Sequence, residues 1–273
     1  MGPLFFRFAL FAILFSLSAP AQAGMPTALG DTQWQLEIAN DSPNGWTFSD
    51  AYETHATSLR KVGESGWLEL SAALVAPKRP KRAADDWTAN RAFGELLTAG
   101  FSNLHRKTGR GAWYIGGALT LIGSLGLDSV QEEVHNLLGY VSMRNDLQNA
   151  RMNDAVMVSA LLDYRRRLNN DWLADGGFEL GTRRNAASFK ISKTADCARF
   201  AWNYHAKLEL VANDEVVSAA PLNADIRHLV PTLGVGMCFT WRGFPIEISE
   251  EISLPRIRSD DDIFPMVRLR VGF

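Results

Sequence analysis

Apolar and polar residues alternate with a period of two along much of the chain, most clearly over 198–212. One set of alternate positions there is apolar: Phe200, Trp202, Tyr204, Leu208 and Leu210. The other set is polar: Asn203, His205, Lys207 and Glu209. Such alternation predicts strands with one apolar and one polar face. Candidate strands, about twelve in all, begin near Thr32, Tyr52, Gly66, Arg91, Gly111, Asp154, Asp171, Ser188, Arg199, Leu229, Phe244 and Ile263.

A soluble β-sandwich also alternates, so the pattern alone leaves two fold classes open. The segment 198–212 is long for a soluble strand of about five or six residues, whereas a tilted membrane strand needs about 9–11. The last strand ends on Phe273, like the terminal aromatic residue that outer-membrane proteins present to the barrel assembly machinery. Aromatic residues near other strand ends suggest an interfacial girdle: Trp34, Trp67, Trp113, Trp202 and Trp241.

We therefore predict an all-β fold, a transmembrane antiparallel β-barrel of about twelve strands, since bacterial barrels have an even number of strands. A barrel of this size is too narrow for an open porin channel, so we expect side chains to fill part of its lumen.

The first residues have the layout of a secretory signal. Residues 4–18 (LFFRFALFAILFSLS) are mainly apolar and precede the small-residue site Ala21-Gln22-Ala23. This layout predicts a signal peptide over 1–23, cleaved after Ala23. The alternative is a membrane anchor, but the apolar run is shorter than the roughly 20 residues a span needs. Residues 24–273 would then form one β-barrel domain in the bacterial outer membrane.

Composition excludes several other classes. The 273 residues are 47% hydrophobic and 21% charged with a net charge of -2, which excludes a disordered chain and a strongly basic nucleic-acid-binding protein. A mean hydropathy of -0.09 excludes a polytopic helical membrane protein. Cys197 and Cys238 lie near different predicted strands, and the sequence leaves open whether they pair.

One segment follows a helical period instead. Within Asp128–Gly139 the apolar residues share one helical face, and Gly139 suits a C-cap; these residues are Val130, Val134, Leu137 and Leu138. We predict a short helix in an extracellular loop of the barrel. His135 lies on this helix and is a candidate functional residue, because loops often carry function.

Five short segments follow one another in a characteristic order. They are Asn40-Asp41, Ser49-Asp50-Ala51-Tyr52-Glu53-Thr54, Lys81-Arg82, Asn90-Arg91-Ala92-Phe93 and Gln131-Glu132-Glu133-Val134-His135-Asn136-Leu137-Leu138-Gly139. This ordered set resembles the outer-membrane lipid A 3'-O-deacylases of the LpxR type, most closely over residues 32–165.

The resemblance implies a twelve-stranded barrel that hydrolyses the 3'-acyloxyacyl ester of lipid A, the membrane anchor of lipopolysaccharide, in a calcium-dependent reaction. His135 would be the general base that activates water, as a histidine can at neutral pH. Asn40 and Thr54 would complete the catalytic site, and Asp41 would bind calcium, which prefers hard oxygen ligands. Lys81 and Arg82 would bind the lipid A phosphates.

The sequence also departs from the family pattern. Val141 stands where the family has an acidic residue six positions after the histidine, and Glu53 replaces a tyrosine. Glu53 and Asp146 are candidates for the missing carboxylate. The alternative function is therefore a catalytically silent barrel that binds lipopolysaccharide or supports the envelope. The clusters Arg165–Arg167 and Arg183–Arg184 have two interpretations, binding of lipopolysaccharide phosphates or a solvated rim, and the solvated rim is favoured because exposed charges usually contribute little.

Overall fold

The computed structural model describes residues 33–41, 55–75, 94–123, 152–169, 171–193, 197, 200–215, 225–254 and 264–273. Twelve strands pair in chain order, every pair antiparallel, and β1 pairs with β12 to close a barrel. The strands are β1 Gln33–Asp41, β2 His55–Gly63, β3 Gly66–Val75, β4 Gly94–Thr108, β5 Gly111–Gly123, β6 Ala155–Arg167, β7 Trp172–Gly181, β8 Arg184–Lys193, β9 Ala201–Asp214, β10 Leu229–Trp241, β11 Phe244–Ser253 and β12 Phe264–Gly272. The predicted fold class is confirmed.

The strand beginnings agree with the sequence prediction except at β8. The prediction began that strand near Ser188, whereas β8 begins at Arg184. The missed residues are small or polar on both faces, so the alternation there was too weak to detect. The helix predicted over Asp128–Gly139 lies outside the described residues.

The outer surface of the barrel is apolar. Large aliphatic and aromatic side chains are exposed at alternate positions, with Val156 at 68% and Leu233 at 65%. A water-soluble protein would bury these side chains, whereas a transmembrane barrel presents them to lipid. Within the part of the chain that the structure describes, no helix has the length and apolarity to cross a membrane.

The interior of the barrel is polar and filled with ion pairs. Glu37 on β1 accepts hydrogen bonds from Arg268 and Arg270 on β12, each at 2.7 Å. Arg270 also donates to Glu247 on β11 at 2.9 Å, and Arg268 lies 2.9 Å from Glu251. Further pairs join other strands: Arg60 with Glu69, His205 with Glu251, Arg165 with Asp175, and Arg184 with Glu209.

The two ends of the barrel differ in their connections. At one end, tight turns join β2 to β3, β4 to β5 and β10 to β11, and Phe273 pairs with Trp34 through two backbone hydrogen bonds. At the other end, the segments 42–54, 76–93 and 124–154 join β1 to β2, β3 to β4 and β5 to β6. Bacterial barrels have short periplasmic turns and longer extracellular loops. We therefore call these ends the periplasmic rim and the extracellular rim.

A disulfide and a tryptophan near the periplasmic rim extend the sequence analysis. Cys197 and Cys238 form a disulfide with their Cα atoms 5.0 Å apart, which settles the pairing that the sequence left open. Trp67 was wrongly assigned to the outer girdle. It is buried inside the barrel, where it packs with Val62, Tyr114 and Leu161.

Candidate functional site at the extracellular rim

Strand pairing brings the end of β1 beside the start of β2 at the extracellular rim. Asn40 and Asp41 are the last residues of β1, and Asn40 is the register partner of His55, the first residue of β2. Thr54 immediately precedes His55 in the chain. The backbones of Asn40 and Asp41 are described, but their side chains are not. The described residues do not include Thr54, Lys81, Arg82 or His135.

The remaining candidate residues belong to connections that leave the same rim. Lys81 and Arg82 lie in the segment between β3 and β4, and His135 lies in the segment between β5 and β6. Since β1 to β6 are consecutive neighbours in the sheet, the three connections leave one side of one end. The topology thus shows that the strands flanking these connections end at the same rim.

An apolar row lies one position inside the barrel from this end of β1. Its members are register partners across five neighbouring strands: Ala39, Ala56, Ala73, Leu96 and Ile122. All five are buried, and Met152 packs against them from the segment preceding β6. The row forms an apolar interior surface next to Asn40 and Asp41 at the end of β1. Alanine at matching alternate positions of three strands was the signal in the sequence, but only the register aligns them.

A row of hydroxyl groups follows two positions further into the barrel. Ser58, Ser71, Thr98 and Thr120 are register partners on β2 to β5, and all four are buried. The Oγ1 atoms of Thr98 and Thr120 lie 3.0 Å apart in a hydrogen bond. The ion pair of Arg60 and Glu69 lies in the next inward row. The interior therefore changes from apolar to charged within a few residues of the extracellular rim.

Arg183 is a functional candidate to which the sequence analysis gave less weight than to a solvated rim. It lies in the short connection between β7 and β8 and is only 3% exposed, so its interpretation as a solvated rim residue was wrong. Its Nε and Nη1 atoms are buried and have no hydrogen-bond partner among the residues that the structure describes. Such a guanidinium can donate two hydrogen bonds to a phosphate or carboxylate.

The other arginines of the two basic clusters differ in their surroundings. Arg184 is also buried and lies 2.8 Å from Glu209, so it was wrongly assigned to the solvated rim. Arg165 is half-buried and paired with Asp175 at 2.9 Å. Arg166 and Arg167 are exposed at the periplasmic rim, in agreement with the sequence interpretation.

The calcium site expected at this rim depends on the oxygen donors that the rim supplies. Among the described residues, no group of three His, Cys, Asp or Glu side chains is arranged to hold a metal ion. At the rim, however, β1 ends on an amide and a carboxylate residue, Asn40 and Asp41, and a hydroxyl residue, Thr54, directly precedes the start of β2 in the sequence. These hard oxygen donors suit calcium better than a softer metal.

The closed sheet, the apolar outer surface and the ion-paired interior together define a transmembrane β-barrel of the outer-membrane class. No protein-family model matches the chain, and no curated protein sequence matches it. Among solved structures it is similar to LpxR from Salmonella typhimurium, with a TM-score of 0.71 and 12% identity, covering 88% of this chain and 99% of that one. The fold is therefore LpxR-like.

Two porins share the barrel architecture at lower similarity. The KdgM porin has 10% identity and a TM-score of 0.46, and the NanC porin has 8% identity and a TM-score of 0.47. Each match covers 88% of this chain and 98% of the porin.

Proposed function

We propose that the chain is an outer-membrane lipid A deacylase that hydrolyses the 3'-acyloxyacyl ester with His135 as general base. The register pairing of Asn40 with His55 is the observation that carries this proposal, because it brings the Asn40-Asp41 segment beside the residue that follows Thr54 in the sequence. The segments with Lys81, Arg82 and His135 leave the same rim. The LpxR-like fold supports the same conclusion.

Each part of the rim has a chemical task in this proposal. His135 takes a proton from water as the water attacks the ester carbonyl, and returns it to the leaving 3' oxygen as the acyl–oxygen bond breaks, while Asn40 and Thr54 orient the reacting groups. Asp41 would hold calcium with the neighbouring oxygen donors. Calcium bound there would supply Lewis-acid polarisation of the ester carbonyl.

The described residues beneath the rim suit an acylated, phosphorylated substrate. The buried row from Ala39 to Ile122 presents an apolar surface to an acyl chain. Arg183 adds a buried guanidinium with open donors to the cations of Lys81 and Arg82, which bind the glucosamine phosphates. Lipid A lies in the outer leaflet, so the extracellular rim is where this substrate would be met.

The proposed location is the bacterial outer membrane, reached after removal of residues 1–23 and insertion by the barrel assembly machinery. The fold and the apolar outer surface support this location. The alternative is a catalytically silent barrel that binds lipopolysaccharide. Val141, in place of an acidic residue, favours this alternative.

Mass spectrometry of lipid A distinguishes the two functions. Cells that produce the protein should lose one acyloxyacyl group from the 3' position, whereas cells without it should keep that group. A His135→Ala variant, produced at the same level in the outer membrane, is the matched control. An unchanged lipid A profile with the wild-type barrel would refute the deacylase, and retention of lipopolysaccharide on that barrel would then support the silent one.

A further inference from the structure

The outer surface at the periplasmic rim carries cations beside its aromatic side chains. Their charged groups lie between 4.9 and 6.0 Å from the ring centroids. The pairs are Lys61 with Trp34, Lys193 with Tyr204, and Arg242 with Trp241. Aromatic girdles mark the membrane–water interface of barrels. This girdle therefore lies where the phospholipid headgroups of the periplasmic leaflet begin.

One sector of the girdle, on β4 to β6, has a more elaborate arrangement. Arg106 is the register partner of Trp113, and Trp113 is the register partner of Tyr164. Cross-strand partners present their side chains on the same face. The next pair along the strands is Ile115 with Leu162, and both side chains are exposed on the outside of the barrel. Since alternate residues share a face, Arg106, Trp113 and Tyr164 also face outward.

A β-bulge brings Arg106 to this face. Up to Phe101, the odd-numbered residues of β4 face outward, so Arg106 would otherwise point into the barrel. The register shift between Leu104 and Arg106 reverses the alternation. Arg106 is accordingly exposed beside Trp113.

The Tyr164 ring lies over Gly111 on β5, and Arg106 and Arg166 lie on the strands to either side. A Cβ atom at Gly111 would lie 2.4 Å from the Tyr164 hydroxyl oxygen, so only glycine leaves room for the ring in this position. The Trp113 and Tyr164 ring centroids are 4.6 Å apart. Gly111 is the register partner of the exposed Arg166. The hydroxyl thus lies over β5, between Arg106 on β4 and Arg166 on β6, which are two strand spacings and two residues along the strand apart, about 12 Å.

The charge of this sector is unbalanced. Within the described part of the chain, neither Arg106 nor Arg166 forms an ion pair. The neighbouring outward positions Thr108, Gly111 and Ala174 carry no charge. The space over Gly111 is therefore surrounded by two guanidinium groups and a phenol hydroxyl. None of these neighbouring outward positions carries an acidic side chain. An anion satisfies this arrangement better than a neutral or zwitterionic group.

We propose that this sector binds the phosphate of an anionic glycerophospholipid from the periplasmic leaflet. Arg106, Arg166 and the Tyr164 hydroxyl donate to the phosphate, and the glycerol backbone lies against Trp113. The acyl chains run along the outward apolar residues, beginning with Ile115 and Leu162. A zwitterionic headgroup binds less well, because its ammonium group is repelled by the guanidinium groups.

Native mass spectrometry of the purified full-length barrel in detergent tests this site. The probes are phosphatidylglycerol and phosphatidylcholine with identical acyl chains. The wild-type barrel should retain one phosphatidylglycerol about tenfold more tightly than phosphatidylcholine, by analogy with other anionic-lipid contacts of cationic side chains. The R106Q/R166Q variant should lose this preference, and Y164F should weaken it. K61Q/R242Q removes two charges from another sector of the same girdle and should keep the preference.

Two outcomes would overturn the proposal. One is an equal loss of phosphatidylglycerol from R106Q/R166Q and K61Q/R242Q, which would mean that any girdle charge has the same effect. The other is an unchanged preference in R106Q/R166Q. If that variant does not fold, Y164F decides, since the site predicts weaker retention from loss of the hydroxyl alone. The site is independent of catalysis, so lipid A hydrolysis should be the same in Y164F and the wild type.

Discussion

His135 separates the two candidate functions at the scale of a single residue. If it is the general base, His135→Ala should lower the rate of lipid A deacylation by about two to four orders of magnitude. The rate is measured on purified barrel with lipid A in mixed micelles. An ordinary imidazole has a pKa of about 6.5, so activity should also fall as the pH drops below about 6.

The His135 prediction needs a control for folding. The residue lies in a connection rather than in the barrel wall, so the circular dichroism of the variant should match that of the wild type. Asp41→Ala should reproduce the effect of removing calcium. A folded His135→Ala barrel that hydrolyses lipid A at the wild-type rate would contradict the assignment.

Arg270 tests how much the interior ion pairs contribute to stability. It donates to Glu37 and to Glu247, and all three side chains are largely buried. Arg270→Met leaves the carboxylates of Glu37 and Glu247 inside the barrel without the guanidinium group that pairs with both of them. Breaking such a buried pair costs about 3–5 kcal/mol of unfolding free energy. Urea-induced unfolding of the barrel in lipid vesicles, followed by tryptophan fluorescence, measures this change.

An exposed ion pair serves as the comparison. Lys107 donates to Glu64 at 2.9 Å at the periplasmic rim, and both side chains are well exposed to solvent. Lys107→Gln should leave the unfolding free energy unchanged within error, because exposed pairs contribute little. Equal effects of Arg270→Met and Lys107→Gln would mean that the interior network does not stabilise the barrel.

At the scale of the strand, Phe273 adds two backbone hydrogen bonds to the β1–β12 seam, the pairing that closes the barrel. The Phe273 amide donates to the Trp34 carbonyl at 2.9 Å, and the Trp34 amide donates to the Phe273 carbonyl at 3.0 Å. Deletion of Phe273 removes both bonds and the terminal aromatic side chain. We expect a lower yield of folded barrel in the outer membrane, measured by the heat-dependent shift in gel mobility.

Phe273→Ala separates the two contributions of this residue. The variant keeps both backbone hydrogen bonds but lacks the aromatic ring. A loss of yield in Phe273→Ala would assign the effect to recognition of the ring during assembly. A loss confined to the deletion would assign it to closure of the seam. Wild-type yield from the deletion would exclude both explanations.

At the scale of the whole molecule, the filled interior predicts a closed barrel. Charged groups from strands that are not neighbours meet inside the barrel, as with His205 on β9 and Glu251 on β11, whose Nε2 and Oε1 atoms lie 3.1 Å apart. Together with the ion pairs around Glu37, they fill part of the lumen with side chains. Planar-bilayer recordings of the wild type should therefore lack the stable conductance steps of an open porin recorded in parallel. Regular steps of that size would contradict the closed lumen.

Much of the architecture followed from local pattern. A period of two is a property of each strand by itself, so the segments around Trp202, Leu233 and Leu269 could be assigned to strands with an apolar outer face. The number of strands then followed from counting the alternating segments, and the membrane barrel followed from their length and from the aromatic residues near their ends. The weak alternation at the beginning of β8 shows where this approach fails.

The candidate site was predictable only as a list of segments. Asn40-Asp41, Thr54 and the connections with Lys81 and His135 could be named in order, but their common position at one rim depends on β1 to β6 being neighbours. Their roles in catalysis and calcium binding stay predictions. Arg183 was misassigned because exposure is not visible in a sequence: Arg183 and Arg166 look alike there, yet one is buried and the other is exposed.

The sequence by itself determined that the chain forms alternating strands with one face for lipid, because side-chain polarity and strand period are local properties. The tertiary structure decided which residues meet. The apolar row from Ala39 to Ile122, the Cys197–Cys238 disulfide, the inward position of Trp67 and the sector around Tyr164 all depend on register between strands. Register is set by pairing along the whole barrel, since a shift of one residue would exchange the lipid-facing and interior faces of a strand.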